Sequence, residues 1–175
     1  MIFIWFVVLL FVIFFGLVIF RGAPYVPSKK VFVKQALIDL YPLTNKDTLV
    51  DLGSGGGGIL REASKIGAHA VGYEINPILV LISRILSQND KKIKIRLADF
   101  WVSRLPKNTT VVYIFSVKRD MKKLMGWMQN EANRLKKPIY LISFGFEFSG
   151  MKPIKNIGPC YLYLFNSLHQ SKAQV

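Results

Sequence analysis

Three acids in this chain stand where an apolar run gives out: Asp51 in T-L-V-D-L, Glu74 after A-V-G-Y, and Asp99 after I-K-I-R-L-A. The first is followed by Gly53, Ser54, Gly55 and Gly57, and then by an apolar helical pattern from Ile59. Glycines reach positive φ and carry no Cβ, so a nucleotide-like ligand can lie against bare backbone amides at the start of a helix. The glycines alone leave two chemistries open, because Gly53, Gly55 and Gly58 also satisfy the G-x-G-x-x-G of dinucleotide sites. Asp51 separates the two. A carboxylate two residues ahead of the first glycine repels a pyrophosphate and attracts an ammonium.

S-adenosylmethionine carries such an ammonium, and the other two acids fall where it needs them. Glu74 lies about twenty residues past the loop, where doubly wound folds hold ribose hydroxyls, with Asn76 beside it. Asp99, with Phe100 and Trp101 after it, offers an amide and carboxylate edge to the adenine amine and a ring to its face. Ser116, at the end of the fourth apolar run, completes the set. Any one acid reads equally well as a solvated strand end, but three at the carboxyl ends of successive strands read as a site. The arrangement resembles a class I S-adenosylmethionine-dependent methyltransferase over roughly Ser28 to Phe165. That resemblance implies a Rossmann-like α/β fold: a mostly parallel sheet with the last strand antiparallel and helices on both faces.

The elements that must position these residues follow from periodicity. Val33, Ala36, Leu37 and Leu40 recur at helical spacing up to Pro42. Thr48 to Leu52 is the first strand, and Ile59 to Ile66 is a helix closed by Gly67. Ala70 to Tyr73 is the second strand. Asn76-Pro77 opens a helix whose expected buried stripe is Ile78, Leu79, Ile82, Ile85 and Leu86. Ile93 to Leu97, Val111 to Phe115 and Pro138 to Ser143 read as further strands, with a basic helix from about Arg119 to Lys136 between the last two. The expected ending is a loop from Glu147 to Gly158, a strand from Tyr161 to Phe165, and a frayed polar tail from Ser167. Alternation of strand and helix predicts a parallel sheet.

With 175 residues the chain accommodates one domain and excludes a two-domain dehydrogenase. Its 24 Lys and Arg against 10 Asp and Glu give +14, which favours an anionic neighbour, lipid or nucleic acid. Ile2 to Phe20 carries no charged side chain, and at about 1.5 Å per residue it is long enough to cross a hydrocarbon core of roughly 30 Å. No basic side chain precedes it, whereas Arg21, Lys29, Lys30 and Lys34 follow. The reading is therefore a single-pass anchor with the body on the cytoplasmic or matrix side. The expected organisation is residues 1–21 as anchor, 22–28 as a proline-stiffened linker and pre-core motif, 29–166 as the catalytic domain and 167–175 as flexible tail. Cys160, the sole cysteine, reads as a buried small hydrophobe; His69 and His169 read as surface residues, and no metal site is expected.

Tyr25-Val26-Pro27-Ser28 ahead of the first helix, then V-D-L-G-S-G, G-Y-E-I-N-P and A-D-F-W, narrows the resemblance. The combination resembles the small membrane-anchored lysine methyltransferases that modify the c subunit of ATP synthase. The resemblance implies a cofactor and substrate site of Tyr25 and Ser28 with Asp51, Gly53, Gly55, Glu74 and Asp99. It departs at Gly55-Gly56-Gly57-Gly58, where the family usually has an acid and then glycine, and this predicts a looser loop. Strand four ends Tyr113-Ile114-Phe115-Ser116, without the N-P-P-Y or D-P-P-Y of base-amine methyltransferases. Two alternatives stay open. One is a methyltransferase acting on RNA or a membrane-associated small molecule; the other is a non-catalytic cofactor-binding protein at the membrane.

Overall fold

The computed structural model describes residues 3–6, 9, 30–115 and 118–168. One sheet of seven strands organises the body, in the order β3-β2-β1-β4-β5-β7-β6. The strands are β1 (Thr48–Leu52), β2 (His69–Glu74), β3 (Ile93–Leu97), β4 (Val111–Phe115), β5 (Ile139–Phe144), β6 (Lys155–Ile157) and β7 (Cys160–Phe165). The first five are parallel, and β7 runs antiparallel to both β5 and β6. The mostly parallel sheet with an antiparallel last strand is therefore as expected. β6 is an addition inside what reads as a loop. Only three residues long and largely exposed, it has no apolar alternation to betray it, and a Gly158-Pro159 turn folds it onto β7 with Ile157 opposite Cys160.

Each strand of the centre is apolar on both faces because each face is covered. On one side Leu49, Val111, Tyr113 and Ile142 meet Leu37 and Leu40, which follow α1 (Lys30–Lys34) in a π-helical stretch (Gln35–Leu40), together with Leu60 and Ala63 of α2 (Gly58–Ile66). On the other side Val50, Val112 and Ile114 meet Leu124 and Met128 of α4 (Met121–Leu135). Pro77–Leu86 forms α3, between β2 and β3. Parallel strands joined through helices take right-handed crossovers, so α2 and α3, carrying the chain in the same direction along the sheet, lie on the same face. Strand order reverses between β1 and β4, and the crevice at their carboxyl ends is where such sheets hold ligands.

The expected stripe of α3 is overturned. Its buried residues are Val80 and Ser83, while Ile78, Ile82, Ile85 and Leu86 are exposed and Leu79 is half-buried. An apolar residue every three or four positions marks a face, but here the helix is apolar nearly all round, and the sheet edge beneath it covers only one narrow line. The tail also begins later than expected: Ser167 is buried, and the Leu168 N–H donates to Asn133 Oδ1 at 2.9 Å. Cys160 is buried as expected, and His69 lies exposed at the start of β2. Among the described residues no helix is long and apolar enough to cross a membrane. Most of the expected anchor, the linker, and Tyr25, Ser28, His169 and Ser116 lie outside the described residues.

Candidate active site

The glycine loop between β1 and α2 is built on three positive-φ residues, Gly53 (87°), Gly55 (51°) and Gly57 (76°). It is pinned at several points. The Gly53 and Ser54 N–H groups both donate to the Tyr73 carbonyl at 2.8 and 2.9 Å, and the Gly57 N–H donates to the Ser54 carbonyl at 2.8 Å. The Gly55 N–H donates to Glu74 Oε2 at 2.8 Å, and Arg61 Nη1 donates to the Gly56 carbonyl at 2.7 Å. The expected looseness of a four-glycine run is thus corrected, because side chains outside the loop supply the restraint that its own residues lack.

Glu74 ties two segments together. Its Oε1 accepts the Asn76 N–H at 2.7 Å while Oε2 holds Gly55. Asn76 in turn caps α3, its Oδ1 accepting from the Ile78 and Leu79 N–H groups, with Pro77 in the first turn. Each Glu74 oxygen keeps a second lone pair, so the carboxylate can hold the loop and still accept from a ligand hydroxyl.

Asp51 is the unbalanced group. It is 3% exposed, and among the described residues no cation faces it. Burial first, and the Glu74 charge second, push its carboxyl up to about 8 from an ordinary 3.8. Two buried carboxylates beside a ring of backbone amides are a poor site for a pyrophosphate and a good one for an ammonium with hydroxyls nearby.

Asp99 lies two residues past β3, not at its last residue. Its Oδ1 accepts the Trp101 N–H at 2.9 Å, and its carbonyl accepts from Ser103 Oγ at 2.7 Å, which fixes the turn. Phe100 packs on Trp101 with ring centroids 4.5 Å apart and edge-on to Trp127 at 6.2 Å, and Lys123 Nζ sits 4.0 Å from the Trp101 ring centroid. A half-buried aromatic wall thus adjoins the third acid.

The structure therefore brings Asp51, Gly53, Ser54, Gly55, Gly57, Glu74 and Asn76 into one hydrogen-bonded cluster, with Asp99 and Phe100 on the turn after the neighbouring strand. Three supporting residues escape the sequence reading. A Cβ on Gly72 would collide with Ser54 Oγ, so this glycine admits the loop against β2; an isolated glycine inside a strand is the signal that marks such an approach. Ser83 of α3 fills the space above Gly57, where an added Cβ would collide with its Oγ. Arg61 carried no signal beyond an ordinary helix-surface charge.

Residues 51–155, the span from the first acid to β6, match the ANTKMT methyltransferase domain family. The chain belongs to this family. Within it, a lysine N-methyltransferase of the ATP synthase c subunit from Xenopus laevis is 37% identical over 62% of this chain and 48% of its own length. The human protein of the same name is 33% identical over 62% of this chain and 46% of its own. The chain spans about half the length of these curated relatives. Among solved structures, an RNA methyltransferase from Salinibacter ruber in complex with S-adenosyl-L-homocysteine superposes with a TM-score of 0.74 at 25% identity, over 81% of this chain and 94% of that one. The class I methyltransferase fold is thereby shared across nearly all of that protein, and the family match begins at the acid that unbalances the site.

Proposed function

We propose that this chain is an S-adenosylmethionine-dependent methyltransferase that modifies a lysine of a membrane protein, of the kind represented by the ATP synthase c subunit. The observation that carries the cofactor is the Asp51–Glu74 pair: two buried carboxylates at the glycine loop, with no cation facing Asp51 among the described residues. The names of the curated relatives support the lysine target. The cofactor supplies a methyl group on a sulfonium, ready for attack by a neutral amine.

Asp51 holds the cofactor's ammonium, Glu74 accepts from the ribose hydroxyls while keeping the loop closed, and Asp99 and Phe100 frame the base. A target lysine with a pKa near 10.4 is almost wholly charged at pH 7, and neutralising it costs about 4 to 5 kcal/mol. Desolvation in an apolar channel lowers that cost. Tyr25 and Ser28 are assigned to this channel on the family resemblance. The amine lone pair forms the new N–C bond as the S–C bond breaks, and the surplus proton leaves to water.

The apolar stretch from Ile2 to Phe20 is read as a single-pass anchor, with the body on the cytoplasmic or matrix side. Only four residues lie between Phe20 and Tyr25, a tether shorter than about 15 Å, so the site stays at membrane height. A lysine in a short loop between membrane helices is presented there. Lysine mass shifts in membrane proteins that require this chain, and that fall when about twenty flexible residues are inserted after Gly22, test the reading. Unchanged target methylation with the long linker overturns the placement.

A second reading, methylation of RNA, is favoured by the Salinibacter neighbour's description and by the net charge of +14. Transfer of labelled methyl groups to nucleic acid instead of protein bands would establish it.

A further inference from the structure

The burial of α3 is inverted. The helix turns a serine inward, Ser83 against Gly57, and turns Ile78, Leu81, Ile82, Ile85 and Leu86 toward the outside, with Leu81, Ile85 and Leu86 at 59, 54 and 58% exposed. A helix solvated on its outer face carries the opposite pattern. Its polar residues are not lost but relocated: Arg84 reaches past the apolar face to the Ile95 carbonyl at 2.9 Å, and the outward residues of the adjoining edge strand are Lys94 and Arg96. The turn leading to that strand adds Lys91 and Lys92, both exposed, against Asp90, whose carboxylate already accepts from Ser64 Oγ and the Lys92 N–H. The result is an apolar face rimmed by cations on one edge of the sheet.

We propose that the outer face of α3, with β3 as its cationic rim, lies in the headgroup boundary of an anionic bilayer. A helix seated in this way buries its apolar side chains roughly 5 to 10 Å deep while Lys and Arg meet the headgroups. A second copy of the chain fits less well, because two-fold pairing of this face would set its cations against themselves. Because α3 opens at Asn76, directly beside Glu74, such docking fixes the height of the site independently of any N-terminal anchor. The proposal needs neither the cofactor nor the lysine assignment.

The test places a fluorophore at Leu81→Cys in the full chain, reconstituted in vesicles of phosphatidylcholine with phosphatidylglycerol. Cys160 does not compete, being buried with its thiol pushed up to about 11. Brominated acyl chains should roughly halve the emission at position 81 and leave a label at Lys107→Cys unchanged. Adding Ile85→Glu should abolish most of that quenching while S-adenosylmethionine binding stays within about twofold, since neither residue touches the glycine loop. Emission at position 81 that is insensitive to brominated lipid, or equally quenched in vesicles of phosphatidylcholine alone, overturns the proposal. So does self-crosslinking through position 81, which would make the face an interface between copies. Failure of cofactor binding in the unmodified chain would count against the methyltransferase reading alone.

Discussion

Two consecutive units of this fold have the same plan and opposite balance. β1 carries Asp51 and leads through glycines into α2; β2 ends on Glu74 and leads through Asn76 into α3. In the first unit the helix is satisfied and the acid is not: α2 buries Ile59, Leu60 and Ala63 in the core, while Asp51 lies buried with no cation facing it among the described residues. In the second the acid is satisfied and the helix is not: both Glu74 oxygens accept backbone N–H groups, while α3 leaves most of its apolar surface outside. Each unit is incomplete where it meets something beyond the polypeptide. The missing partner of the first is a cation in the crevice, and that of the second is an apolar phase at the sheet edge.

The comparison breaks most visibly in the core. Leu60 is fully buried against the sheet, so Leu60→Ala should cost roughly 2 to 5 kcal/mol, read as a lowered midpoint in urea with an unchanged slope. A loss below about 1 kcal/mol would mean that α2 is held by the loop and not by packing.

Next in size is the pH dependence of the unbalanced acid. With its pKa raised to about 8, Asp51 makes the free domain most stable below about pH 4, and this contribution is lost as pH rises toward 8. Cofactor binding runs the other way, because the ammonium needs the ionised form. Below about pH 8 the affinity should rise up to tenfold per pH unit with release of a proton. Above it the affinity should fall as the cofactor's own amine, with an ordinary pKa near 8, loses its charge. Calorimetry in buffers of different ionisation enthalpy measures the proton. In Asp51→Asn the rise below pH 8 should vanish and affinity should drop by about 10 to 100-fold. A pH-independent wild type would show that Asp51 has another neutralising partner.

How much of this was legible beforehand depends on where the information resides. The strands, α2 and the acid-plus-glycine site were readable because each rests on local chemistry: burial on both faces makes β1 continuous in Leu and Val, and a positive φ demands glycine. Asn76 and Pro77 announced the start of α3 for the same reason. What could not be read depends on neighbours distant in sequence. Nothing in P-I-L-V-L-I-S-R-I-L says which side the sheet will cover, and Ser83 faces inward only because Gly57 leaves room for it. The pinning of the four-glycine loop by Arg61 and Glu74, and the three-residue β6, are likewise tertiary facts.

A smaller effect tests the second unit at its start. Asn76→Ala removes the acceptor for two first-turn N–H groups of α3 and should cost about 1 kcal/mol, the usual value of an N-cap. Because Glu74 Oε1 bonds the backbone N–H of the same residue, the glycine loop should survive. Hydrogen exchange faster in α3 than in α2 would locate the loss.

The smallest effect discriminates best. Leu81→Ser changes a leucine on the helix that reads as the more apolar of the two, and by composition it should be as damaging as Leu60→Ala. Its side chain is 59% exposed, so in aqueous or mild detergent solution the folded and unfolded chains solvate it similarly. The expected change in stability is within about 0.5 kcal/mol, a small part of which is the poorer helix propensity of serine. A urea midpoint indistinguishable from that of the parent, beside a large shift for Leu60→Ala, would establish that the two helices differ in what covers them and not in how well they form. If Leu81→Ser instead costs about 2 kcal/mol or more, on the scale of a core truncation, then the face of α3 is already covered in solution by protein, and its apolar surface has a partner within the chain or in a second copy.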